Sequence, residues 1–323
     1  MAGILVLLFA GLCQGSFGLG YKKYNPFSWE AFWGIYSVFC ALIPFMWAAF
    51  LVPDFASYYS AAGFSNMAYV VICGALWGIT AVGFSKAVTY IGISLVYGIS
   101  MGVSAVVGSV VPMIINHTSL KGSAMVFFII GVAVTLAGIA IITKAGLKKD
   151  EELSDSAKTS NTGKGLLLAM FSGLGSGAMN IGFDGLSEFT ADLNYVQASA
   201  VQWFPLLLGG ALVSITYCIV SLTKNKTWNT YTMKGAPFTS CKLFASCIVW
   251  FAALAAYGTA ANMLGEMGPV AGWIVFNALA LIVSNMWGLK LGEWTGTNKA
   301  KKLLFAGNAV LILSWVFIGL SNI

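Results

Sequence analysis

Residues 3–20 read GILVLLFAGLCQGSFGLG, and residues 165–182 read GLLLAMFSGLGSGAMNIG. Laid over each other, Gly3 meets Gly165, Leu5 meets Leu167, Phe9 meets Phe171, Gly11 meets Gly173, Gly15 meets Gly177 and Gly20 meets Gly182, all at one separation of 162 (165 − 3). Each stretch is apolar over the ~20 residues that a helix needs to cross a hydrocarbon core about 30 Å thick. A second match pairs Trp77 with Trp250, Ala87 with Ala260 and Gly92 with Gly265. The chain therefore repeats itself, and its repeating unit is a set of membrane helices.

Working outward, apolar segments of spanning length fall near 2–20, 31–51, 67–90, 92–115, 124–143, 164–186, 196–222, 241–264, 268–290 and 302–321. The first corresponds to the sixth and the third to the eighth, so the unit is five helices long. An odd number of crossings turns the second copy upside down. The expected fold is an all-α membrane protein of ten transmembrane helices in two inverted five-helix repeats. Residues 1–143 form the first repeat, 144–163 a cytoplasmic linker and 164–323 the second repeat. The apolar start resembles a signal peptide only superficially, since it has no basic n-region and its partner lies mid-chain.

Composition agrees with a bilayer setting. Of 323 residues, 59% are hydrophobic and 9% charged, too few polar groups to cover a soluble core of this size. The net charge of +6 comes from 17 lysines without an arginine. If each segment crosses once, 15 lysines fall on one face and only Lys121 on the other, with Lys86 left inside the third segment. The lysine-rich face is then cytoplasmic, and both termini are outside. The loops after the first and sixth segments confirm opposite exposure: one carries Lys22 and Lys23, the other Asp184, Glu188 and Asp192. Short lysine loops suit anionic lipid headgroups, and no basic stripe with interleaved aromatics points to nucleic acid. The lack of arginine argues against a strongly anionic substrate.

Six cysteines lie in or beside apolar helices without metal spacing, and read as small packing residues. Neither a metal nor any other cofactor is expected. Gly98-Ile99-Ser100-Met101-Gly102 fits the expression for a nucleophile elbow, which requires a strand, a turn, a helix and a nearby histidine. Here it lies mid-helix, and the single histidine, His117, is 17 residues along the same segment, roughly 25 Å away at helical rise. No catalytic residue is assigned. Gly98, Gly102 and Gly108, with Ser94, Ser100 and Ser104, read instead as a small-residue face that admits a neighbouring helix.

Inverted repeats are the architecture of alternating-access carriers, with substrate near the midplane. A membrane enzyme is the rival class. Ser172, Ser176, Asn180, Asp184 and Glu188 recur every four residues along the sixth segment, and a polar stripe in a membrane helix faces protein or water. Membrane carboxylates mark ion or proton paths, which makes Asp184 the candidate proton-coupling group and Glu188 its reserve. The alternative places both in an acidic external loop. Amides and aromatic rings deep in other segments suit a neutral polyhydroxylated ligand, the amides bonding hydroxyls and the rings covering C–H faces. The candidate sugar contacts are Trp77, Tyr97, Asn180, Gln202, Trp203, Trp273 and Asn277. Packing explains such residues equally well. Gln202-Trp203-Phe204-Pro205 followed by Gly209-Gly210 marks the seventh segment as a candidate moving or broken helix.

Tyr58-Tyr59-Ser60, Gly74-Ala75-Leu76-Trp77-Gly78, Tyr90 with Gly92, Ser94 and Gly98, and Ile114-Ile115-Asn116 resemble the L-rhamnose–proton symporter family of the drug/metabolite transporter superfamily. In the second half Gly165-Leu166, Gly209-Gly210, Trp273 and Glu293-Trp294 follow in the same order. The resemblance implies two five-helix units in a bacterial inner membrane, and uptake of L-rhamnose or another 6-deoxyhexose driven by protons. A metabolite or drug exporter of the same fold is the alternative, and the oligomeric state is left open.

Overall fold

A computed structural model describes residues 2–21, 23–91, 93–118, 120, 122–153 and 162–321. Lys22, Gly92, Lys121 and residues 154–161 of the expected linker lie outside the described residues. Within them the protein is all-helical, and ten helices are long and apolar enough to span a membrane. They are α1 (Ala2–Ser16), α2 (Trp29–Leu51), α3 (Phe55–Ile91), α4 (Ile93–Ile115), α5 (Ser123–Leu153), α6 (Thr162–Asp184), α7 (Tyr195–Asn225), α8 (Ala236–Leu264), α9 (Trp273–Lys290) and α10 (Asn298–Leu320). A 3-10 turn, Phe17–Tyr21, extends α1, and a π turn, Gly268–Gly272, leads into α9. Large apolar side chains such as Leu5, Phe9, Phe50 and Ile129 stand exposed along these helices, as lipid-facing residues do.

Helix ends follow local chemistry. Ser28 caps α2 by accepting from the Ala31 N–H, and Asn194 caps α7 by accepting from the Val196 and Gln197 N–H groups. At the other end of α7, Lys226 adopts the left-handed conformation and donates its N–H to Leu222, while Thr227 donates to the same carbonyl. Three elements differ from the sequence reading. α3 starts twelve residues before the expected 67 (67 − 55), because Tyr58-Tyr59-Ser60 is itself helical and Gly63, at φ 74, turns the chain into the span. α5 continues past 143 to Leu153, so the first part of the expected linker is helix, supported by a Lys148–Glu151 ion pair one turn apart. α7 is unbroken across Pro205 and Gly209-Gly210.

The chain divides into two compact units that each draw on both sequence halves. The first comprises Met1–Ile79 and Gly182–Met263, and so contains α1, α2, most of α3, α7 and α8. Here α2 packs along α7, and α3 crosses α7 at glycines. A Cβ on Gly74 would stand 1.8 Å from the Leu206 carbonyl oxygen, and one on Gly78 would stand 2.4 Å from that of Gly210. The glycine pair that suggested a bend in α7 is thus what lets α3 approach. Trp77 stacks on Trp250, its repeat counterpart, with centroids 5.7 Å apart and planes 13° apart.

The second unit comprises Thr80–Ile181 and Leu264–Ile323, with α4, α5, most of α6, α9 and α10. Its closest pair is α5 with α10. A Cβ on Gly131 would meet Ile318 at 2.6 Å, and one on Gly307 would meet Ile142 at 2.5 Å. These contacts are reciprocal: Gly307 and Ile318 follow Gly131 and Ile142 by the same 176 residues (307 − 131 and 318 − 142).

Candidate functional site

The polar stripe of α6 is paired with α4 in register. Ser100 bonds Ser172 at 3.1 Å, Ser104 bonds Ser176 at 2.9 Å, and the Gly108 carbonyl accepts from Asn180 Nδ2 at 2.6 Å, each pair 72 residues apart. A constant separation along two parallel helices makes a zipper. It also disposes of the nucleophile elbow: Ser100 is buried mid-helix, and its hydroxyl is engaged by Ser172. Asn180, fully buried, donates in addition to the Pro269 carbonyl at 2.7 Å. The π turn around Pro269 presents that carbonyl, and α9 then brings Trp273 to Ser104, its Nε1 donating to the carbonyl at 3.1 Å and the hydroxyl at 3.2 Å. Asn277 donates to the Trp273 carbonyl one turn back. Asn180 of α6 and Trp273 of α9 are therefore both fastened to α4, with Asn277 one turn further along α9. Tyr97 belongs elsewhere in this unit, edge-on to Phe84 and against the α5/α9/α10 core.

Gln202, Trp203 and Trp77 lie in the other unit. Gln202, 0% exposed, accepts from Asn262 Nδ2 through Oε1 at 2.9 Å. Among the described residues its Nε2 has no hydrogen-bond partner, and neither has Nε1 of the equally buried Trp203. Trp203 is gripped by Phe183, with centroids 4.7 Å apart, and by Tyr257 at 6.3 Å. Orphan donors this deep are costly, about 1–3 kcal/mol each, and mark places where a ligand's oxygens would be welcome. Gln14 Oε1 and Trp33 Nε1 are buried orphans of the same unit.

Asp184 is the last residue of α6 and half-buried, whereas Glu188 is exposed in the 3-10 turn that follows. Lys86 is exposed near the C-terminal end of α3. The sequence reading missed Glu30. This carboxylate is 8% exposed in the first turn of α2 and accepts from Thr227 Oγ1 at 2.6 Å and Asn225 Nδ2 at 3.1 Å. Starting the span at residue 31 left it in a loop; Ser28 as N-cap was the available signal. Among the described residues no cluster of three His, Cys, Asp or Glu could hold a metal ion.

Comparison with known proteins places these features in a family. Residues 1–323 match the family model described as L-rhamnose-proton symport protein (RhaT). The L-rhamnose-proton symporter of Citrobacter koseri is 27% identical over 335 residues, covering 98% of this chain and 97% of the relative. That of Klebsiella pneumoniae strain 342 is 27% identical over 337 residues (98% and 97%). The Mannheimia succiniciproducens symporter is 28% identical over 316 residues (93% and 91%).

Proposed function

The chain belongs to the L-rhamnose-proton symport family, and from that membership we propose that it is a multi-pass carrier taking up L-rhamnose, or a closely similar 6-deoxyhexose, together with protons. The match of the whole chain to that family carries the reading. Alternating access by two inverted five-helix repeats is part of the proposal. The reciprocal Gly131–Ile318 and Gly307–Ile142 contacts and the stacking of the counterparts Trp77 and Trp250 support it. The lysine split supports a bacterial inner-membrane orientation with both termini outside.

Among the seven proposed sugar contacts, Gln202 and Trp203 have donors to offer hydroxyl groups. Trp77 offers apolar surface to the ring, and Tyr97, set against Phe84 and the α5/α9/α10 core, is assigned to packing. Asn180, Trp273 and Asn277 spend donors on the protein, and we assign them to the wall of the pathway. Asp184, at the outer end of α6, is proposed to take up the proton, with Glu188 beyond it as reserve. Proteoliposomes loaded at neutral pH and diluted into acidic buffer should concentrate labelled L-rhamnose, and the Asp184→Asn variant should exchange sugar without concentrating it. Failure of the unaltered protein to respond to an inward proton gradient, or loss of sugar under it, would overturn symport in favour of export. Proton-driven accumulation by Asp184→Asn would remove Asp184 from the coupling path.

A further inference from the structure

The α2–α7 pair is fastened at both ends, and by different chemistry. Where α2 ends and α7 begins, the tie is neutral: Gln197 Nε2 donates to the Leu51 carbonyl at 3.1 Å, and beside it Tyr59 of α3 donates to the Val201 carbonyl at 2.9 Å. Where α2 begins and α7 ends, the tie is a buried carboxylate. Glu30 Oε1 receives the Thr227 hydroxyl and the Asn225 amide, while the neighbouring Ala31 carbonyl receives the Tyr231 hydroxyl at 3.0 Å. Fastening as such needs no charge, as the first end shows. A carboxylate drawn out of water without a cation carries a desolvation penalty, and this one lies on the lysine-rich face, yet the described groups that hold it are neutral. The Thr227 bond at 2.6 Å is in the short range typical of O–H donors on an ionised carboxylate.

We propose that Glu30 is the group that surrenders the transported proton at the cytoplasmic face, its carboxylate being captured by Thr227 and Asn225 as the proton leaves. The inference rests on the proton-symport reading above. In the step, the O–H bond of the neutral carboxyl breaks, the proton passes to water at the helix end, and the freed lone pairs accept the Thr227 O–H and Asn225 N–H. Both donors favour the ionised form, so closing the α2–α7 end and releasing the proton promote each other. Among the described residues, the titratable groups that face Glu30 are Cys218 of α7 and Tyr231. Burial, with smaller contributions from Cys218 and Glu30, pushes the Tyr231 phenol up to about 12, so it keeps its own proton at physiological pH. Ser28, the remaining neighbour, is uncharged. The Gln197–Leu51 and Tyr59–Val201 ties contain no carboxylate, and the one beside them, Asp192, is exposed and accepts from Tyr58 at 3.0 Å.

The test uses the full chain in proteoliposomes, with labelled L-rhamnose, fixed acidic medium outside and varied pH inside. Glu30→Gln preserves an oxygen to accept both bonds but cannot ionise. It should lose accumulation driven by the proton gradient and its dependence on internal pH, while labelled sugar still exchanges for unlabelled. Thr227→Val removes one donor and leaves the carboxylate, and should move the internal-pH dependence by about one unit towards alkaline; Thr227→Ser should restore it. Glu30→Gln concentrating sugar with the original pH profile would reduce Glu30 to a structural tie. Should Glu30→Gln not fold, an unchanged profile in Thr227→Val overturns the proposal equally. An unaltered protein that ignores the gradient would instead sink the symport reading, and this inference with it.

Discussion

Asn180 and Gln202 are both amides, both 0% exposed, and both on membrane helices, but they stand in opposite states. Asn180 gives its donors to two backbone carbonyls, Gly108 and Pro269, and continues a zipper of paired hydroxyls. Gln202 has its oxygen bonded and its nitrogen orphaned, one helical position from a tryptophan in the same condition. The difference teaches that a buried polar side chain in a membrane is not a site by virtue of its type. Its role follows from the accounting of its donors and acceptors: a closed account holds helices together, and an open one is where a ligand contact is proposed.

The largest effect should come from opening the closed account. Asn180→Ala strips the Gly108 and Pro269 carbonyls of their shared donor, at about 1–3 kcal/mol for each buried group left unpaired. Thermal unfolding of the detergent-solubilised protein should show a clear loss of stability, and reduced sugar binding should accompany it only through the fraction unfolded. A stable variant with selectively weakened sugar affinity would move Asn180 from the wall to the ligand.

That distinction could not be read from the sequence. The four-residue period of Ser172, Ser176 and Asn180 exposed the stripe, but its partners are 72 residues away, and only the assembled helices show that Ser100, Ser104 and Gly108 meet it in register. The spans were legible because apolar length is a local property. The glycines that suggest the repeat include ones at close helix approaches, as Gly177 is against the Gly108 backbone. Tyr58-Tyr59-Ser60 was not legible as helix, since Gly63 interrupts it and its polarity hides it beside a strong span. Glu30 escaped for the reverse reason: a lone carboxylate at a span's edge looks like loop until the distant Thr227 and Asn225 are brought to it.

A smaller effect is expected from the open account. Gln202→Ala removes an amide whose donor serves no protein group, so the folded state loses chiefly the bond to Asn262. Sugar affinity, measured by isothermal titration or by quenching of tryptophan fluorescence, should fall about tenfold, equivalent to ~1.4 kcal/mol, with little change in melting. Equal affinity and a lower melting point would make Gln202 a second Asn180 and erase the contrast between the two.

The smallest effect tests the zipper itself. Ser100 and Ser172 exchange a single bond between neutral hydroxyls, and each helix can offer its hydroxyl a carbonyl one turn back when the partner is gone. Interhelical bonds of this kind average only ~0.6 kcal/mol in membrane proteins, because polar groups find other partners in the unfolded state as well. A double-mutant cycle of Ser100→Ala and Ser172→Ala should therefore return a coupling of that order, well below the cost of Asn180→Ala. A coupling several times larger would mean that the hydroxyl pairs, and not the Asn180 amide, carry the α4–α6 contact. A coupling of zero would leave Ser100 and Ser172 as small residues that merely let the helices approach, with Ser104–Ser176 and Asn180 as the polar fastenings.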